Sequence, residues 1–541
     1  MARLNRREFL WAAGVGGVFL SAEGTKLIPR VFGRSGRASL PLAQDRFDPR
    51  QPTNFTNPLL LPSDTGLLGV FQPSSNFTMS AKVIDQEILP GASARLWVYE
   101  VERAGKRYLN PIIRMRTGDD FSTTFKNDLS EVSIIHWHGF HVSGRNDGHP
   151  GDVIGSGATY PYNFPVLNRA ATYWYHPHPD GNTARQVYFG LAGLFIVEDE
   201  EENHLKGALD LSFGETDVPL IIQDRRFNAD GTLLYNPSLS EYFMGFLGNV
   251  ILANLTVKPF LDVSTRVYRF RILNGSNTRN YRLAFLKGSE RLPFYIIGND
   301  GGLVDRPYQA TEVLISPAER VDVLLDLRNL QQDDIVFLKS LGISATGHHM
   351  GGRGGPMQPP GSGGLGEDEE FYILKLNVSN RITYDKQIPT ILSDIAPINP
   401  TGAGAPTRPF LLTGTRSGWF INGLQFSMDQ VPVRVSKNTI EIWETSNDFI
   451  SVPHPMHLHG FQFQVLERIN SPSQIRNMAV DSRGLLPTDK GWKDTVLVWP
   501  GERVRVAIDF AHNFSGEQLY VFHCHILEHE DSGMMINYKV V

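Results

Sequence analysis

The sequence predicts an all-β protein made of three sandwich units, and three observations carry that expectation. From Phe77 onward the chain is a succession of short runs rich in β-branched and aromatic residues, such as RLWVYEVE, VPLIIQDRRF and RVYRFRILN, with turn residues between them and no sustained helical period. The 51 glycines and 34 prolines provide turns at the density such a fold needs. The chain also repeats itself. PAERVDVLLDL at 317–327 returns as PGERVRVAIDF at 500–510, and IIHWHGFHV at 134–142 resembles HPMHLHGFQF at 454–463. Repeats at this spacing point to duplication of one β-sandwich, and 541 residues is a length for about three domains.

In chain order, the first 43 residues read as a leader. Arg6-Arg7 precede Phe9-Leu10 and an apolar run from Trp11 to Ala22 that is too short to span a bilayer. Paired arginines before such a run are the signature of twin-arginine export, so the expected location is periplasmic or extracellular. Leu40–Ala43 is a weak candidate for the cleavage point, and no later segment is apolar and long enough for a membrane span. The first unit is expected over 44–205, beginning with a polar, Pro/Asn-rich arm. The second is expected over 206–380 and the third over 381–541. A glycine-rich insert at 347–366 (GHHMGGRGGPMQPPGSGGLG) has nothing to build a core with and reads as a mobile surface loop. Its His348, His349, Met350 and Met357 are either incidental or a soft-metal site.

Composition narrows the function. A net charge of −6 with both signs mixed offers no face for nucleic acid or an anionic membrane. A single cysteine, Cys524, excludes an intramolecular disulfide. It lies in HCHILEHEDSGMM (523–535), where QLYVFHCHIL reads as a strand end. Side chains alternate along a strand, so Cys524 faces one way while His523 and His525 face the other. One strand end can therefore serve two metal sites. Thiolate, two imidazoles and a distant thioether make a blue-copper electron-transfer set, and Cys524, His529 and Met534 supply three of those four. The remaining ligands must come from upstream, where His136 and His138 (HWHG), His176 and His178 (WYHPH), and His454, His457 and His459 (HPMHLHG) are clustered. His141, His149, His204 and His512 read as solvated.

On these motifs, with ATYWYHPHPDGNTARQVYFGLAGLFIVED, YRFRILNGSNTRNYRL and GWKDTVLVWPGE beside them, the chain after the leader resembles the three-domain multicopper oxidases. It is most similar to the bacterial laccases, copper-efflux oxidases, spore-coat laccases and bilirubin-oxidase-like enzymes. The resemblance implies three cupredoxin-like Greek-key sandwiches and four copper ions. A type 1 copper would lie on His454, Cys524, His529 and Met534, and a type 2 copper on His136 and His457. A type 3 pair would lie on His138, His176, His178, His459, His523 and His525. The first and third units would give four cluster histidines each, and the second none. Glu530 and Asp147 match the family's carboxylates near the cluster, with either a proton-carrying or a ligand-orienting role. Asp494, in GWKD, is either a substrate contact near the type 1 site or part of a structural salt bridge.

The implied activity is oxidation of phenols or aromatic amines, one electron at a time, coupled to reduction of O2 to water by a monomer. The alternatives are cuprous oxidation, bilirubin-type oxidation, and a non-catalytic cell-envelope relative. The insert is poor in methionine, and Ser427 stands where a copper-efflux enzyme would have an acidic extra ligand; both weaken the cuprous reading. A complete ligand set disfavours the non-catalytic one.

Overall fold

A computed structural model describes residues 47–343, 364–400, 404–415 and 417–541. The expected leader at 1–43 and residues 347–363 of the insert, with His348, His349, Met350 and Met357, lie outside the described residues. The end of the insert departs from expectation, because Leu365 is buried in the core of the second sandwich.

Six sheets pair face to face as three cupredoxin-like sandwiches. In the first, a six-stranded sheet containing Phe77–Leu89, Ala92–Arg103 and Asp120–Asn127 faces a five-stranded sheet containing Ile135–His138, Ala171–Pro177 and Gly193–Glu198. Phe77, Tyr99, Phe121, Trp137 and Phe195 fill the space between them. Two seven-stranded sheets form the second sandwich, and two five-stranded sheets form the third. The polar arm does not stay with the first unit. Its Asn57–Pro58 strand pairs in parallel with Pro259–Ser264 of the second sandwich.

Burial patterns separate outer strands from the strands that matter for function. Asp120–Asn127 alternates strictly, with Phe121, Thr123, Phe125 and Asn127 inward, as a strand with one wet face should. By contrast Ile135–His138, Ala171–Pro177 and His454–Leu458 are buried at every residue, and in Gln518–Cys524 only Leu519 is partly exposed. One face of each of these strands packs in its own sandwich, through Trp137, Tyr173 and Tyr175, Met456 and Leu458, or Phe522 and Cys524. The other face is covered from outside the sandwich. Those second faces carry the histidines of these strands, His454 excepted.

Candidate metal centre

Strand register sorts the ligands. His136 is paired opposite His176, and Trp174 opposite His138. In the third sandwich His457 is opposite His523, and Met456 opposite Cys524. Since side chains alternate, His457 and His459 share a face with His523 and His525. His454, with Met456, turns the other way and joins Cys524 in the core. The motif HPMHLH therefore splits between two sites, one histidine to the first and two to the second.

At the first site His454 Nδ1 lies 3.4 Å from Cys524 Sγ, His529 Nδ1 lies 3.8 Å from that sulfur, and the two imidazole nitrogens are 3.4 Å apart. At His529 the outer nitrogen fixes the tautomer. His529 Nε2 donates to the carbonyl of Phe243 at 3.0 Å, which turns the Nδ1 lone pair toward the sulfur, and His454 Nε2 is 3.0 Å from the Ser451 hydroxyl. The Met534 side chain is fully buried in the same core as Cys524, and its carbonyl accepts the Cys524 N–H at 3.0 Å. Burial pushes the thiol pKa up, opposed by one 3.4 Å bond from the Ile526 N–H. A thiolate here needs a cation.

At the second site eight imidazoles from the first and third sandwiches turn one nitrogen each to a common centre. The nitrogens of His138 (Nδ1), His176 (Nε2) and His525 (Nε2) are linked by 3.4 Å separations. His178 Nε2 and His459 Nε2 lie 3.4 and 3.0 Å from His523 Nε2, and His136 and His457 face each other, Nε2 to Nε2, at 3.4 Å. The outer nitrogens of His136, His176, His457 and His523 donate to the carbonyls of Asp147, Pro177, Asp494 and Cys524. His459 Nδ1 bonds to the Asp147 carboxylate at 2.7 Å. His138 Nε2 bonds to Asp494 Oδ1 at 3.0 Å. The inner nitrogens of these six therefore carry no proton, and lone pair faces lone pair in a closed cavity. Burial lowers the pKa of His136, His138, His457, His459 and His525 well below the usual range, that of His176 to about 4 and that of His178 to about 3. Neutral, acceptor-only nitrogens this close together suit metal ions, and the thiolate-imidazole set beside them suits copper.

Two carboxylates border the cluster. Glu530 Oε2 is 3.2 Å from His523 Nδ1, and its Oε1 is 3.5 Å from His178 Nδ1. Burial pushes the Glu530 pKa up, but His178 and His523 outweigh it and hold the group at about 2. Asp147, on the short Gly144–Asp147 helix, is raised well above the usual range by burial. Its Oδ1 has no hydrogen-bond partner.

Similarity to known proteins shows the family. Sequence models of the multicopper oxidase family match residues 90–202 and 401–541. The multicopper oxidase mco of Staphylococcus aureus is 31% identical over 435 residues, which is 80% of this chain and 82% of that protein. The chain belongs to the multicopper oxidase family. A laccase of Bacillus subtilis is 33% identical over 74% of this chain and 78% of its own length. The crystal structure of McoA multicopper oxidase from the hyperthermophile Aquifex aeolicus superposes with a TM-score of 0.78 at 41% identity, covering 89% of this chain and all of that one. As a multicopper oxidase the chain is a copper-dependent oxidoreductase.

Several expectations need correction. His149 and His512 are buried rather than solvated. His149 donates from Nε2 to Asn537 at 2.8 Å and accepts the Gly151 N–H, and His512 stacks on Phe514. His141 is half-buried and bonds the Gly460 carbonyl, while His204 is exposed. Asp494 is fully buried against Arg320 at the histidine cluster, which fits the salt-bridge alternative. Three neighbours of the cysteine site went unread in the sequence. Trp419 packs 4.7 Å from the His529 ring and 4.8 Å from that of His454, and it donates to the Phe243 carbonyl that His529 also uses. Ser451, three residues before His454, had a spacing signal; Phe243 and Trp419 had none.

Proposed function

We propose that the chain is a four-copper, laccase-like oxidase that takes single electrons from phenols or aromatic amines and reduces O2 to water. His454, Cys524, His529 and Met534 would hold the type 1 copper. His136 and His457 hold the type 2 copper. His138, His176 and His525 hold one type 3 copper, and His178, His459 and His523 the other. When bound, these ions supply one-electron transfer from the donor and four-electron reduction of O2.

The protein's own residues do the rest. Cys524 is joined by one peptide bond to each of His523 and His525, so the two sites share a covalent connection only a few bonds long. Glu530 stands within reach of two cluster imidazoles with both oxygens free of other partners, a place from which a carboxylate can take up a proton and pass it on. Asp147 orients His459 with one oxygen and keeps the other for a proton. Near His454, Phe449 and Ile450 are 59% and 63% exposed on the loop that leads into Ser451. That apolar edge suits an aromatic donor. The arginine pair at the start of the chain supports export by the twin-arginine route.

The observation that carries this reading is the meeting of two complete donor sets on either side of Cys524. The test is the visible spectrum of the copper-loaded protein, followed by O2 uptake with a phenol and with Cu(I) in parallel. A thiolate-to-copper band with faster uptake on the phenol is expected. Full copper loading without the band removes the type 1 assignment; faster uptake on Cu(I) replaces the substrate class.

A further inference from the structure

The second sandwich donates no ligand, yet one of its side chains reaches the histidine cluster. Arg320 opens the strand Arg320–Asp326 and is fully buried. It touches all three sandwiches. Its Nε donates to the carbonyl of Thr172 in the first at 3.0 Å, and its backbone N–H bonds to Asp300 in the second at 2.8 Å. Its guanidinium forks onto Asp494 in the third, Nη1 to Oδ1 at 2.9 Å and Nη2 to Oδ2 at 2.5 Å.

Asp494 then contacts two cluster histidines. Its carbonyl takes the Nδ1 proton of His457, and its Oδ1 takes the Nε2 proton of His138. His138 is the exception among the eight, since the other seven turn Nε2 inward and His138 turns Nδ1. The approach is tight. A Cβ on Gly139 would sit 2.4 Å from Asp494 Oδ2 and 3.1 Å from Arg320 Nη2, and the residue has φ of +86°, so only glycine fits.

The internal repeat sharpens the point. Glu319 and Glu502 keep the same job, each accepting the backbone N–H three residues before it, from Ser316 and Trp499. The neighbouring arginines diverge. Arg503 is 44% exposed and lies 3.5 Å from Glu444, whereas Arg320 is sealed against Asp494.

We propose that Arg320 is a positioning residue for the cluster. From the second sandwich it holds Asp494 in the one orientation that takes the Nε2 proton of His138, which leaves Nδ1 as the free ligand atom. This rests on the copper reading above. A carboxylate that fixes the tautomer of a metal-binding histidine is commonly worth about 10–100-fold in metal affinity, and here that carboxylate is itself held from a third body.

The test measures copper retained per chain against a graded chelator, with the visible band of the Cys524 site and the Tm read on the same samples. Arg320→Met should weaken copper retention at the cluster about 10–100-fold and leave the Cys524 band intact. Asp494→Asn should do the same to a smaller extent, and it decides the matter if Arg320→Met does not fold. Lys493→Met is the control. It breaks the buried pairs with Asp300 and Glu319 beside Asp494 without touching an imidazole, so it should lower Tm and keep the copper. Wild-type copper retention in both Arg320→Met and Asp494→Asn overturns the proposal, as does equal copper loss in Lys493→Met. Wild-type protein that binds no copper at the eight histidines overturns the copper reading and this proposal together, and shows itself before any variant is made.

Discussion

The two faces of the strand Gln518–Cys524 and its extension to His525 make two sites by opposite means. The cysteine site takes all its donors from residues 454–534 of one sandwich and sits inside that sandwich's own core. The histidine cluster takes four imidazoles from the first sandwich and four from the third, and it lies in no single core. The first site draws its donors from one folding unit, with only the Phe243 carbonyl reaching His529 from the second sandwich. The second site exists only while two units stay docked, and it depends on contacts such as Arg320 that neither ligand-bearing unit supplies. A thiolate-imidazole set can thus be an accessory of one core, while a cluster of eight imidazoles is built at a seam.

The largest expected effect separates the two sites outright. Cys524→Ser should abolish the visible thiolate band and turnover of aromatic donors, while the eight histidines keep their copper. Metal analysis beside an O2 electrode checks this, and loss of all copper would show that the two sites are not independent.

Acid should weaken both sites, the next largest effect. Burial lowers the pKa of His176 to about 4 and of His178 and His529 to about 3. The unfolded chain binds protons at these histidines below about pH 6.5, while the folded apoprotein does not. Apoprotein stability from these groups is therefore complete above that pH and falls as pH drops toward 3. Seven of the eight cluster imidazoles and both imidazoles of the cysteine site are depressed this way. A pH series of urea melts on apoprotein should show the slope, and copper should suppress it, since metal and protons compete for the same nitrogens. A flat series above pH 4 would contradict the burial argument.

A smaller effect sharpens the cluster side alone. Glu530→Gln should leave the visible band in place and slow O2 reduction by about 10²-fold, the lower range for a lost proton-transfer group. Unchanged O2 consumption would return Glu530 to a ligand-orienting role. The smallest effect falls on the cysteine side alone. Met534→Leu should raise the type 1 reduction potential through loss of a weak axial donor, with cluster copper unchanged. Redox titration of the visible band reads it, and a lowered or constant potential would show that Met534 is not axial.

Much of the site was legible in the sequence, because strand alternation is local. The period of two places Cys524 against His523 and His525, and it also divides His454 from His457 and His459, three and five residues further on. The all-β class is legible for the same reason. Isolated histidines were less so. His149 and His512 sit in Gly/Pro-rich or polar stretches that read as wet, and folding brings Asn537 to the first and Phe461 to the second.

The sequence by itself determined the donors, their pairing on strands and the face each one takes, since these follow from residue identity and backbone geometry over a few residues. Tertiary structure alone decided which ring nitrogen faces each centre, that a carbonyl at Phe243 closes over His529, and that Arg320 reaches Asp494 across 174 positions of chain. Those choices depend on hydrogen-bond partners about 3 Å away from units hundreds of residues apart, and no local period encodes them.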